Sequence, residues 1–143
     1  MNTNRKIAII AGALFIIADV ATFTGDALLP ALTGADYLIQ LSAHADLVAA
    51  GLLAQIVSTF AGVGIAIAMY PIMKRANAGL ALGSVVFRTL EAAFYMVGIV
   101  SLLALLKLSQ QFAAAGVADR ASLQAIGDSL VSVRLWAAPL LGV

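Results

Sequence analysis

Three charged residues lie well inside the long apolar stretches of this chain, and a fourth, Asp26, lies near the end of the first stretch. Asp19 interrupts the stretch from 7 to 29, and Arg88 and Glu91 interrupt the stretch from 79 to 106. Two carboxylates close to one guanidinium can raise the pKa of one carboxyl group, which suits proton transfer or cation binding. A second interpretation is structural, because Arg88 and Glu91 have the i, i+3 spacing of a pair that neutralises itself and fixes helix register.

The positions of these residues predict a single polar layer. At a rise of about 1.5 Å per residue, Asp19 lies about 18 Å from Ile7 and Glu91 about 16 Å from Leu80. A third stretch, from 47 to 73, places polar residues at a similar depth. The predicted buried polar cluster therefore contains six residues: Asp19, Gln55, Thr59, Arg88, Glu91 and Tyr95. We expect Arg88 to bridge Asp19 and Glu91 within it, and contact with a partner subunit or lipid is a further possibility.

The apolar stretches predict the elements that position this cluster. The chain is 63% hydrophobic and 10% charged, far from the composition of soluble domains. A membrane-spanning helix needs about 20 apolar residues, and the stretches at about 7–29, 47–73 and 79–106 are all long enough. The predicted fold is all-α: one transmembrane domain over 1–143, with three transmembrane helices and an amphipathic or incomplete fourth helix at about 121–143.

Both ends of the chain allow a second interpretation. A first apolar run behind Arg5 and Lys6 also fits a cleaved signal peptide, but its length and the presence of Asp19 favour a span. In the tail an apolar stripe recurs at helical spacing: Leu123, Ile126, Leu130, Val133 and Ala137. This stripe fits an interfacial amphipathic helix or the beginning of a fourth span.

The connections and helix contacts are also predicted from local residues. Pro30 and Gly34 are predicted to end the first helix, and a short helix or turn is predicted at 35–45. Pro71 marks the predicted end of the second helix. A loop is predicted at 109–120. Small residues at Ser58, Gly62 and Ala66, and at Gly79 and Gly83, predict close helix approach.

The basic residues predict the orientation. Arg5, Lys6, Lys74 and Arg75 fall at one end of the spans, and the connection from 30 to 46 has no Lys or Arg. This pattern predicts that the N-terminus lies in the cytoplasm. The predicted location of the protein is the plasma (inner) membrane.

Several kinds of site are not expected. The chain has no Cys, its only His is in the 35–45 connection, and no hydrolase, zinc-protease, P-loop or dinucleotide motif occurs. The net charge of +1 gives no reason to expect a nucleic-acid partner. We therefore predict no catalytic residues, no metal and no cofactor, and as partners the lipid bilayer and either other membrane subunits or a second copy.

An ordered set of segments resembles a bacterial membrane family known as domain of unknown function 4386. The segments are Asn4-Arg5-Lys6, Ala11–Phe15, Asp36-Tyr37-Leu38, Gly64–Pro71, Gly79–Gly83, Phe87-Arg88 with Glu91, Ser101–Leu103 and Leu108–Gln110. The resemblance implies a multi-pass membrane protein, longer than this chain, and brings no activity or catalytic residues. Gln55 departs from the family pattern, which tends to a glutamate there, and this substitution disfavours a proton relay.

Two functions follow as expectations. The first is a non-catalytic membrane protein, an accessory or structural subunit of a larger complex or homo-oligomer. The second is a small transporter or proton-coupled membrane protein that uses the Asp/Arg/Glu cluster.

Overall fold

A computed structural model describes residues 3–34, 36–114 and 116–137, and within these ranges it is helical without strands. The helices are α1 (Thr3–Leu28), α2 (Tyr37–Ala43), α3 (Ala45–Met73), α4 (Ala78–Ala114) and α5 (Val117–Ala137). Three of them, α1, α3 and α4, are long and apolar enough to cross a membrane. These helices confirm the predicted all-α fold and indicate a multi-pass membrane protein.

Helix α3 lies between α1 and α4. The contacts of α1 with α3 are the most extensive in the described chain, and those of α3 with α4 come next. Helices α1 and α4 have few contacts with each other, so the three spans lie side by side with α3 in the centre. The packing of α1 along α3 is that of an integral helix of the fold, as predicted for a first span.

The close approach of α1 and α3 occurs at two glycines. A Cβ atom on Gly25 would lie 3.1 Å from the carbonyl oxygen of Gly51, and a Cβ atom on Gly51 would lie 3.0 Å from that of Gly25. At Gly62 and Gly83 the predicted close approach is not found, since no atom of the described residues would lie within 4 Å of a Cβ atom at either position. Spacing identifies small residues, but the partner helix decides which of them are used.

The hydrophobic core lies at the end of the spans where α1 ends and α3 begins. It joins α2, the first turns of α3, the second half of α4 and one face of α5; its buried members are Tyr37, Leu38, Leu41, Val48, Leu52, Ile99, Leu102, Leu105, Leu108 and Phe112. The Tyr37 hydroxyl donates a hydrogen bond of 2.9 Å to Asp128, and Gly127 leaves room for that hydroxyl. This contact fixes α5 against α2.

The predicted loop at 109–120 is wrong. Helix α4 continues to Ala114 because Leu108, Ser109 and Phe112 are buried in the core, and the Ser109 hydroxyl bonds to the Leu106 carbonyl of its own helix. Helix α5 then begins at Val117. Tertiary packing thus extends the helix through residues that looked polar enough for a connection.

Other connections differ less from prediction. Helix α1 ends at Leu28, Gly34 has a positive φ of 91°, and α2 occupies the predicted short helix. The Asn77 side chain accepts a hydrogen bond of 3.0 Å from the Leu80 backbone and caps α4. Pro71 lies inside α3, which continues for two more residues to Met73, the predicted end of the second span.

Helix α5 runs back along the second half of α4. It contacts α4 more than any other helix, and Leu123, Leu130 and Val131 pack on the core. Two members of the predicted stripe, Ile126 and Val133, are instead exposed. Helix α5 is not among the candidate spans, and the predicted tail from 138 to 143 lies outside the described residues.

Candidate functional site: a polar groove between two spans

A cavity of about 470 Å³ lies between α1, α3 and α4, and we call it the α1–α4 groove. All six residues of the predicted cluster line it: Asp19, Gln55, Thr59, Arg88, Glu91 and Tyr95. Further polar lining comes from Thr22, Asp26 and Ser58. The structure thus brings together one polar face from each of the three spans.

The groove is open on one side rather than enclosed. Helices α1 and α4 pack on α3 but hardly on each other, which leaves the space between them uncovered. The side chain of Arg88 is 54% exposed, and that of Glu91 is 15% exposed. Asp19 and Tyr95 are also exposed. In the described chain alone the predicted cluster therefore lines an open groove, because α1 and α4 have few contacts with each other.

Arg88 forms an ion pair within its own helix. Its Nη1 atom lies 2.6 Å from Oε2 of Glu91, one helical turn away. The predicted bridge to Asp19 is not formed, and the Asp19 side chain has no hydrogen bond or ion pair with the described residues. Glu91 is a neighbour of Arg88 on the same helical face, whereas Asp19 lies on α1, which has few contacts with α4.

Hydrogen bonds across α1 and α3 order the opposite wall. The hydroxyl oxygens of Thr22 and Ser58 are 2.6 Å apart, and the Gln55 amide donates a bond of 3.1 Å to Asp26. Thr59 is back-bonded to the Gln55 carbonyl at 2.7 Å, so it stays on its own helix. Gln55 is consequently a partner of Asp26 rather than a free member of the cluster.

Arg134 was missed by sequence reasoning and approaches the groove from α5. Its guanidinium donates a bond of 3.3 Å to the Gly98 carbonyl of α4, and it lies within the electrostatic influence of Asp26. The signal in the sequence was an arginine on the apolar tail, whose position became meaningful only once α5 was known to run back along α4.

Comparison with known families accounts for most of the chain. The family described as Domain of unknown function (DUF4386) matches residues 10–143. The chain belongs to this family. The resemblance inferred from the sequence is thereby confirmed, and the family is of unknown function, so membership assigns no activity. The comparisons with curated proteins and with solved structures gave no match.

The charge of the groove in this DUF4386 chain is negative. Its lining contains three carboxylates, of Asp19, Asp26 and Glu91, and one guanidinium, that of Arg88, which gives −3 + 1 = −2 when all are ionised. Of the carboxylates, Asp26 and Glu91 have partners, and Asp19 is left without one in the described part of the chain.

The arrangement in this DUF4386 chain offers charge and hydrogen bonding rather than a metal site. Within the described residues no group of three His, Cys, Asp or Glu side chains is placed to hold a metal ion. His44 lies between α2 and α3 with its ring nitrogen 3.1 Å from the Gln40 carbonyl oxygen, away from the groove lining.

Proposed function

We propose that this protein is a non-catalytic integral membrane protein that acts as an accessory or structural subunit, in a larger membrane complex or in a homo-oligomer. The observation that carries the proposal is the exposure of Arg88 within a candidate span. The α1–α4 groove is the surface through which the protein would assemble.

The physical argument concerns the cost of an exposed ionic group in lipid. A charged side chain at the centre of a membrane helix costs at least about 2.5–3.5 kcal/mol, so such residues usually face protein and find partners. Arg88 is paired with Glu91, but more than half of its side chain is uncovered. A guanidinium has five N–H donors, and a single side-chain bond leaves the others to be satisfied by protein, water or lipid headgroups. Coverage of the groove by another protein surface would supply those partners.

The proposed location is the plasma (inner) membrane of a bacterium, with the N-terminus in the cytoplasm. Arg5 and Lys6 lie at the start of α1, and Lys74 and Arg75 lie between α3 and α4. Helix α3 runs antiparallel to α1, because Gly51 lies at Gly25 and Gly64 lies at Leu14. The end of α3 and the start of α4 are therefore at the same end of the spans as the start of α1, and all four basic residues lie there. Short cytoplasmic loops carry such an excess of Lys and Arg.

The test is purification of the protein from native membranes in a mild detergent, followed by light scattering to measure the mass of the particle. We expect a mass above that of one chain, from added subunits or copies. Arg88→Leu and Glu91→Gln should reduce the assembled fraction, whereas Arg75→Leu, which removes an arginine outside the groove, should not. If the wild type is a lone chain, or if both groove variants fold and assemble like the wild type, the proposal is wrong.

A second candidate is favoured by one observation. Asp19 lines the groove without a hydrogen bond or ion pair from the described residues. An intramembrane carboxyl group in this position suits proton transfer or cation movement, as in a small transporter or proton-coupled protein that uses Asp19, Arg88 and Glu91.

The two candidates differ in reconstituted vesicles. A proton-coupled protein should give pH-dependent flux that is lost in Asp19→Asn, whereas Asp46→Asn at the start of α3 should leave it unchanged. A subunit without transport activity should give no flux in either case.

A further inference from the structure

Two ionisable side chains on opposite walls of the α1–α4 groove, Asp19 and Arg88, have few or no partners within the described chain. On α1, Asp19 has no partner among the described residues. On α4, the Arg88 guanidinium uses Nη1 for Glu91 and is otherwise largely exposed. The same face of the chain thus carries a carboxyl group without a donor, on Asp19, and a guanidinium group with further N–H donors, on Arg88.

A face that carries both halves of an ion pair can complement a second copy of itself. In a two-fold symmetric contact the same patch is used twice, so a contact from residue i to residue j is repeated from j to i. The Arg88 of each copy would then face the Asp19 of the other. Both copies would gain an ion pair that is not formed within one chain.

The depths of the two residues agree with this symmetry. Two copies with the same orientation in a membrane are related by an axis along the membrane normal, which leaves depth unchanged. Arg88 lies about 12 Å from Leu80, and Asp19 lies about 18 Å from Ile7, a difference of about one helical turn. An extended arginine side chain can cover this difference in depth, and both residues line the same cavity.

We infer that the α1–α4 groove is closed by a second copy of this chain, with reciprocal Arg88–Asp19 ion pairs across a two-fold axis. The inference rests on the proposed function and specifies its partner as the chain itself. Each closed groove would contain a carboxylate–guanidinium–carboxylate arrangement, with Arg88 between its own Glu91 and the Asp19 of the second copy. This differs from the intrachain bridge predicted from sequence by taking its third member from another molecule.

Charge reversal with mixing tests the inference. Asp19→Arg alone places two guanidinium groups together at each contact, and Arg88→Asp alone places two carboxylates together. We expect each single variant to show at least a tenfold weaker self-association than the wild type, measured by light scattering in a mild detergent. Co-expression of the two single variants with different tags should restore association, because both reciprocal pairs are then of opposite sign. The double variant Asp19→Arg/Arg88→Asp should also associate.

Mixing separates an intermolecular pair from an intramolecular one. If the double variant associates but the two co-expressed single variants do not, the pair lies within one chain and the inference is wrong. If neither combination associates, the inference is also wrong. The carboxylate introduced by Arg88→Asp would repel Glu91 of its own helix, so the same comparison is made in a Glu91→Gln background.

Milder variants guard against loss of folding. Asp19→Asn and Arg88→Gln should each keep the helical circular dichroism spectrum of the wild type and still weaken self-association. If they dimerise as well as the wild type, the inference is overturned. Should the native protein prove to be a single copy bound to a different subunit, the second-copy inference fails while the proposed role as a subunit stands; a lone chain refutes both.

Discussion

Gly25 of α1 provides a quantitative test of how the groove wall is built. A methyl group at this position would lie 2.9 Å from Cγ of Gln55 and 3.1 Å from the carbonyl oxygen of Gly51. The Gln55 side chain can move, but the Gly51 oxygen belongs to the α3 backbone, so the helices must separate by a few tenths of an ångström. Gly25→Ala should therefore destabilise the protein and loosen the bond from Gln55 to Asp26.

The magnitude follows from a comparison with a second glycine of the same helix. Overpacking a close contact typically costs about 1–3 kcal/mol, and replacing a helical glycine by alanine returns about 0.5–1 kcal/mol. At Gly12 no atom of the described residues would lie within 4 Å of an added Cβ atom. Gly12→Ala should therefore gain the helix propensity of alanine without any overpacking. Because both variants gain the same helix propensity, the difference between them reports the overpacking alone. Gly25→Ala should be less stable than Gly12→Ala by about 1–3 kcal/mol.

The free energy of unfolding can be measured by pulse proteolysis of the protein in mild detergent with increasing amounts of sodium dodecyl sulfate. A difference of about 1.4 kcal/mol corresponds to a tenfold change in the folding equilibrium, well within the resolution of the method. Equal stability of the two variants would refute the close approach of α1 and α3 at Gly25. A larger loss in Gly12→Ala would refute the placement of α1 on α3 altogether.

Two further predictions concern contacts on either side of the groove. Thr22→Cys with Ser58→Cys should form an intrachain disulfide under mild oxidation, seen as a mobility shift on a non-reducing gel, because the two hydroxyl oxygens are 2.6 Å apart and no native cysteine competes. Tyr37→Phe should lower the free energy of unfolding by about 1.5 kcal/mol, because it removes the hydrogen bond that the Tyr37 hydroxyl donates to Oδ1 of Asp128. Burial and the Asp128 carboxylate raise the pKa of Tyr37 in the folded state, so its contribution is complete below about pH 10, the unfolded value, and is lost as the pH rises through the folded value.

Matched controls make these outcomes decisive. Thr22→Cys with Val57→Cys places the second thiol on an exposed neighbouring position of α3, and equal oxidation there would show that the Thr22–Ser58 contact is not selective. Tyr70→Phe keeps the aromatic ring that lies under Lys74 and should cost less than Tyr37→Phe. If the wild type and Tyr37→Phe lost stability equally above pH 10, the role assigned to the Tyr37 hydroxyl would be wrong.

Local patterns in the sequence determined the spans and the polar faces. The long apolar stretches at about 47–73 and 79–106 identify helices that become α3 and α4, since the length needed to cross a bilayer is a property of one segment. Helical periodicity likewise placed Arg88, Glu91 and Tyr95 on one face of α4, and depth matched that face to Asp19. These properties depend on residues a few positions apart, and all of the predicted cluster lines the groove.

Tertiary structure alone decided which of those residues meet. Arg88 pairs with Glu91 and not with Asp19 because α3 holds α1 and α4 apart. Gly25 and Gly51 form the close helix contact while Gly62 does not. The return of α5 along α4, which brings Arg134 to Gly98, was equally invisible. The physical reason is that a side chain's type and spacing fix its face and depth, whereas its partner depends on the distance between helices, which is set by packing summed over the whole fold.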